Sequence, residues 1–179
     1  MLLANIAVAH RIYDKYPTKA ILRRHPTPNA KQIKELSESF KTHGFECDVT
    51  TSNAIQSFLD SIRGDPVAYL TMTCLLTKTM QLAQYFCSGI CDDKSRYYHY
   101  GLAVPLYTHF TSPIRRYPDI LVHRLLASSL GYCEETRKET YILQSIADNC
   151  NDKKYSARIC SERSAEMFFA LFVNVKYYF

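Results

Sequence analysis

The stretch Tyr107-Thr108-His109-Phe110-Thr111-Ser112-Pro113-Ile114-Arg115-Arg116-Tyr117-Pro118-Asp119 constrains this chain more than any other. It crowds prolines, hydroxyls, arginines and aromatics between two apolar runs, so a polar knot has to sit between buried elements. Ser112-Pro113 is a helix-start signal: a hydroxyl to cap, then a proline whose missing N–H costs nothing in a first turn. Pro118 would remove the hydrogen bond to Ile114 from a helix begun there. The helix therefore either kinks at Pro118 or begins its regular part near it, and it runs on to Leu130, where Gly131 ends it. Either way Arg115 and Arg116 fall in or beside the first turn, where free amides and the dipole attract anions. Arginines oppose that dipole, which points to an anionic partner, and the guanidinium fork matches phosphate. The competing reading is structural, with either arginine paired to Asp119 or to a distant carboxylate. His123 and Arg124 read as a core-bonded histidine and an ion-paired arginine. Tyr107, His109 and Phe110 suit either base stacking or core packing.

The rest of the chain reads as mostly helix. Leu2, Leu3, Ile6, Ala9, Ile12, Tyr13 and Tyr16 recur at helical spacing up to Pro17, with alanines on the other faces, which predicts a helix buried nearly all round. Arg23, Arg24 and His25 precede Pro26 and Pro28, a proline-stiffened extended loop that either contacts phosphate or is simply solvated. Asn29 caps an amphipathic helix carrying Ile33, Leu36 and Phe40, and Gly44 stops it. A short helix follows from about Asn53, and Asp65-Pro66 opens another with Val67, Leu70, Cys74 and Leu75 inward. Alternation over Thr79–Phe86 and His99–Tyr107 predicts two paired strands. From about Thr136 to Val173 one long helix, or two in line, carries Ile142, Ile146, Cys150, Ala157, Cys160, Ala165, Phe168, Phe169 and Phe172 on its apolar face. Lys153, Lys154, Arg158 and Arg163 lie opposite, as a solvated face or an extension of a basic track.

A net charge of +5 leans toward polyanionic partners without naming one. Seven cysteines, an odd number mostly in apolar surroundings, suit reduced core thiols better than zinc, since Cys87 and Cys91 have no matching pair. With no signal peptide and no apolar run of membrane-spanning length, the expectation is a soluble intracellular protein. Carboxylates are scattered, and nothing resembles a metal-holding Asp cluster, a Walker loop or a serine nucleophile elbow.

The run Tyr107 to Leu126, "YTHFTSPIRRYPDILVHRLL", closely resembles the signature of the ribonuclease II/R family, processive 3′-to-5′ exoribonucleases with an RNB catalytic domain. "MLLANIAVAHRI", the residues Ile21 to Pro26, "MQLAQYFCSG" and "CNDKKYSARICSE" extend the resemblance over nearly the whole chain. They look most like the eukaryotic branch that acts without the exosome on uridylated RNA. The resemblance implies an α+β, mostly α fold: the C-terminal half of an RNB domain over residues 1–174, with a few short strands and a long C-terminal helix. Residues 175–179 would begin a connection to an S1-like domain. It implies hydrolysis of single-stranded RNA to nucleoside monophosphates in the cytoplasm, with Mg²⁺ held by an aspartate cluster upstream of Met1. The remaining half of the domain and the cold-shock and S1 domains would also lie outside this chain, and no metal ligand within it. Arg115 falls on the SPIR arginine that contacts the scissile phosphate. Thr111 and Ser112 fall on positions that shape the same wall. Arg23, Arg24, His25, Tyr107, His109 and Arg116 are the further RNA-contact expectations. At the functional glutamate of some bacterial members this chain aligns Ser161 or Glu162, so no role carries over. Without the aspartates, these residues alone are expected to be inert. A non-catalytic RNA-binding relative and a purely structural helical module are the alternatives.

Overall fold

The computed structural model describes residues 1–48 and 51–177. In chain order they form α1 (Leu2–Lys15), β1 (Ile21–Arg24), α2 (Ala30–Thr42), α3 (Ser52–Ser61), α4 (Pro66–Thr79), β2 (Gln84–Cys87), α5 (Tyr117–Ser129) and α6 (Thr140–Tyr177). The fold is α+β and mostly helical, as expected. Of the segment 175–179, residues 178 and 179 lie outside the described residues.

Two hydrophobic clusters organise these elements. The larger joins Ala9 and Ile12 of α1, Ile21 and Leu22 of β1, Phe86 and Cys87 of β2, Leu121, Val122 and Leu125 of α5, and Leu143 of α6. The smaller belongs to α2–α4, where Ile33, Phe40, Ile55, Phe58, Met72 and Leu76 meet. Caps set the ends of this second group. The Asn29 side chain accepts from the amides of Lys31 and Gln32, and the Asp65 carboxylate from those of Val67 and Ala68. Gly44, at φ +82°, provides the left-handed residue after α2.

The sheet differs from the sequence expectation. β2 pairs antiparallel with β1, Arg23 opposite Tyr85, rather than with 99–107. The segment His99–Tyr107 instead makes a 3₁₀ turn at Tyr100–Leu102 and isolated bridges from His99 to His25 and Val104. Pro105 supplies no ladder N–H, Ala103 is left-handed at φ +53°, and the Gly101 amide is spent on His25 Nδ1. A Cβ on Gly101 would sit 2.8 Å from that same nitrogen, so the approach requires glycine. Strand β1 hides within the stretch read as a loop, and the prolines begin only after it ends.

The outer edge of β2 is completed by side chains of α6. Asn151 accepts the Tyr85 N–H at 2.8 Å and donates to the Tyr85 carbonyl at 2.9 Å, and Gln144 Oε1 accepts the Cys87 N–H at 2.8 Å. Seven residues apart, the two amides occupy one face of α6 and act as a surrogate strand. The buried Asn5 amide ties α1 to the knot in the same way, donating to the Tyr107 hydroxyl and accepting the Phe110 N–H.

Three helix faces depart from the periodicity. α1 buries only the stripe Asn5, Ala9 and Ile12, and Leu3 is exposed. α4 buries Met72 and Leu76, whereas Val67 is 75% exposed and Leu70 and Cys74 are exposed too. α6 is one helix whose buried residues, among those described, are Leu143 and Ala147, and its outer half leaves Phe168 and Phe169 in the open. Each helix has apolar residues on more than one face, so periodicity alone does not say which face meets the core. The Asn151 seam makes a checkable claim. Asn151→Ala should lower unfolding stability in urea by about 1–3 kcal/mol, the cost of stranding a strand N–H and C=O. An unchanged midpoint would show that the seam is not part of the fold.

Candidate nucleic-acid interface

The knot folds into two parts. Regular helix begins at Tyr117, with Pro118 in its first turn, so the helix starts at the second proline rather than at Ser112-Pro113. Before it, the residues after Ser112 make a turn, with Arg115 N–H on the Ser112 carbonyl at 3.3 Å. Asp119 holds the turn against the helix. Its fully buried Oδ2 accepts from Arg116 Nη2 and from the Ser112 amide, each at 2.8 Å. Arg116 is therefore the arginine that takes the structural ion pair. Arg115 is exposed, and among the described residues no carboxylate pairs with it. The two neighbouring arginines have different jobs.

A cleft of about 850 Å³ opens between this turn and the middle of α6. It is lined by Tyr85, His109, Arg115, Arg116, Tyr117, Pro118, Ile146, Asn149, Cys150, Lys153 and Lys154. Four of these are cations and none is a carboxylate. Lys153 and Lys154, read as a solvated face or an extension of a basic track, are exposed and line the cleft. Two further basic residues of that helix do pair in solvent, Arg158 with Glu162 and Arg163 with Glu166. Burial, with the charges of Arg23, Arg116 and Arg158 adding, lowers the Lys154 pKa. Clustered positive charge of this kind, of which only that of Arg116 is paired with a carboxylate near the cleft, is what a polyanion relieves.

Strand alternation splits the basic triplet. Arg23 is 8% exposed, stacks its guanidinium 4.8 Å above the Tyr85 ring, and lies behind the cleft. Burial lowers its pKa, and Arg116 adds to the effect. Its Nη1, together with Arg116 Nε and Asp119 Oδ1, is buried without a hydrogen-bond partner. Arg24 points the other way, over the Phe86 ring at 5.2 Å, into a separate groove with His25, Gln81, Arg96 and Tyr98. His25 is held there between the Gly101 amide, which donates to Nδ1 at 3.0 Å, and the Gln81 carbonyl, 2.8 Å from Nε2. The triplet is not a single phosphate-binding loop.

The aromatic expectations divide similarly. Tyr107 is a core residue, its hydroxyl on Asn5 and its ring in T-shaped contact with those of His99 and His109, and its burial leaves no room for a base. Phe110 stacks on His123, whose Nε2 is bonded to the Phe110 carbonyl at 2.8 Å, so both are structural. Arg124, expected in an ion pair, is exposed and has none among the described residues. Thr111 and Ser112 are half-buried, and the Ser112 amide is committed to Asp119. His109 reaches the cleft and shares a 2.7 Å hydrogen bond with the Tyr85 hydroxyl. Tyr117, at the helix start beside Arg115, was visible in the motif but masked by its two arginines. Tyr85, Asn149, Lys153 and Lys154 carried no local signal of a shared cleft.

Among the described residues no three His, Cys, Asp or Glu side chains gather to hold an ion, and the buried Asp119 is already engaged by Arg116. The residues described here do not fit a Mg²⁺ site. Nor is any helix among them long and apolar enough to cross a membrane.

The family model described as "RNB domain" matches residues 1–132, and the chain belongs to the RNB family. Within it, the chain fits the branch of DIS3-like exonuclease 2. The protein of that name from Xenopus tropicalis is 44% identical over 178 residues, 97% of this chain and 21% of that protein. The chain spans about a fifth of the length of the curated relatives it matches. Among solved structures, yeast Ssd1, described as a pseudonuclease, has a TM-score of 0.76 at 34% identity, covering 83% of this chain and 18% of that one. RNase R from Mycoplasma genitalium, solved with ribose-methylated single-stranded RNA, has a TM-score of 0.75 at 29% identity, covering 93% and 26%.

Burial, together with Arg23, Arg116 and Lys154, lowers the His109 pKa to about 3, and burial with His25 and Arg23 lowers that of His99 to about 4. Both imidazoles are neutral in the folded chain, whereas in the unfolded chain they take up protons near pH 6.5. The unfolded state then binds more protons, so stability is full above about pH 6.5 and falls as pH drops toward 4 and then 3. Urea midpoints measured across that range should decline, and His109→Gln should make the decline shallower. An equally steep decline in the variant would remove His109 from the account.

Proposed function

We propose that this chain forms one wall of the RNA channel of a 3′-to-5′ exoribonuclease, one that degrades single-stranded RNA processively to nucleoside monophosphates. The observation that carries the reading is the cleft with four lining cations and no lining carboxylate. In this reading Arg115, exposed and without an ion pair, faces the scissile phosphate. Its fork donates two hydrogen bonds to phosphate oxygens and favours the charge that develops there during cleavage. Lys153 and Lys154 hold neighbouring phosphates, and Arg116 fixes the turn that presents Arg115. The RNA carried by the related RNase R structure supports single-stranded RNA as the ligand. The substrate is further proposed to be 3′-uridylated and cytoplasmic. Mg²⁺ ligands, the other half of the domain and the cold-shock and S1 domains belong to sequence this chain does not contain.

A second reading is that the parent protein binds RNA without cutting it, and the match to the pseudonuclease Ssd1 favours it. Both readings require RNA in the cleft, and neither lets these 179 residues cut alone. The isolated chain should bind oligouridylate with log K falling against log salt at a slope of about −2 to −3, as roughly three to four phosphate contacts to a single strand require. Arg115→Ala and Lys153→Ala should each reduce that slope by about 0.7. A flat salt dependence would favour a structural module instead. No RNA decay should appear with or without Mg²⁺, and decay abolished by a chelator would contradict the assignment of the metal ligands to other sequence.

A further inference from the structure

We propose that Tyr117 is a base-stacking platform in this cleft, so that the site grips a nucleotide by its ring as well as its phosphates. The inference rests on the RNA reading above and names a residue and an interaction that reading does not use.

Tyr117 is 48% exposed although the two residues that follow it, Pro118 and Asp119, are buried. Its ring and hydroxyl have no partner among the described residues, unlike Tyr85 on the same cleft, whose hydroxyl is held by His109 and whose ring lies under Arg23. The backbone beneath Tyr117 is fixed. It is the first residue of α5, followed by a proline that restricts φ and by the Asp119 anchor to Arg116 and the Ser112 amide. A ring on a fixed stem loses little freedom when a planar partner lies on it, which is why tyrosine serves well as a contact surface.

Its surroundings indicate which partner. A site for phosphate alone needs donors and positive charge, and Arg115, Lys153 and Lys154 supply both. The cleft adds an apolar portion, made of Tyr117, Pro118 and Ile146, that no phosphate would use. Cations next to an unpaired aromatic ring are the two halves of a single-strand site: the charges follow the backbone and the ring takes a base. Exposed tyrosines also occur elsewhere, at Tyr132 and Tyr141, but those do not line this cationic cleft. Stacking depends on the π-face that every base shares, so Tyr117 would contribute affinity and position without reading sequence.

The chain contains no tryptophan, which makes the test clean. Tyr117→Trp places a lone indole in the cleft. Its emission should be quenched as oligouridylate is added, and it should stay unquenched by an abasic ribose-phosphate oligomer of equal length that still binds. Tyr117→Leu should weaken oligouridylate binding by roughly fivefold or more, with an unchanged salt slope and unchanged affinity for the abasic oligomer, whereas Tyr117→Phe should bind like the native chain. Retained abasic binding shows that the leucine variant is folded. Native affinity in Tyr117→Leu, or equal quenching by both oligomers, would overturn the stacking role while leaving the RNA reading intact. Failure of the native chain to bind either oligomer would overturn both.

Discussion

The buried carboxylate of Asp119 is the interaction on which the cleft depends. A charge wholly out of water needs close compensation, and Asp119 obtains it from the Arg116 guanidinium and the Ser112 amide. Its position in the first turn of α5 adds the favourable end of the helix dipole. Meeting that requirement turns Arg116 inward and folds the preceding turn against the helix. Arg115, one residue earlier, is left exposed in the cleft beside Tyr117. A single compensated charge thus separates two adjacent arginines into an anchor and a free cation.

The opposite wall follows from a different need. Strand β2 has β1 on one side, and its other edge would leave amide groups of Tyr85 and Cys87 unpaired. Asn151 and Gln144 of α6 satisfy them, which fixes both the rotation and the height of that helix. Lys153 and Lys154 come two and three residues after Asn151, so the residue that completes the sheet also brings the lysines to the cleft. Behind them Arg23 lies under Tyr85, which in turn holds His109. The floor of the site is a layer of buried polar groups whose charge is positive and incompletely balanced. Its ordering comes from the sheet and α6 rather than from any loop.

Much of this was legible before the structure, where a local rule and a global need agreed. The caps at Asn29 and Asp65, the stop at Gly44, the long C-terminal helix and the helix start near Pro118 each rest on chemistry confined to a few residues. The pairing of Arg116 with Asp119 stood among the open alternatives, and geometry selected it. What could not be read was decided at a distance. β1 is four residues long and reads as a loop, because its partner, β2, lies some sixty positions later. Arg23 and Arg24 look equivalent until strand alternation sends one behind the cleft and the other into a separate groove. Lys153 and Lys154 look like any solvated helix face, since only the seam with β2 reveals where α6 points. The faces of α4 and α6 failed for a related reason, namely that each helix has apolar residues on more than one side.

The central claim is that single-stranded RNA lies in the cleft between the Arg115 turn and α6. Photocrosslinking of a 4-thiouridine-substituted oligouridylate to the chain, followed by peptide mapping, addresses it most directly. Adducts should fall within residues 109–117 and 146–154, and be suppressed by competing unlabelled oligouridylate. Adducts confined to the groove of Arg24, Arg96 and Tyr98, or to the exposed outer half of α6, would contradict it.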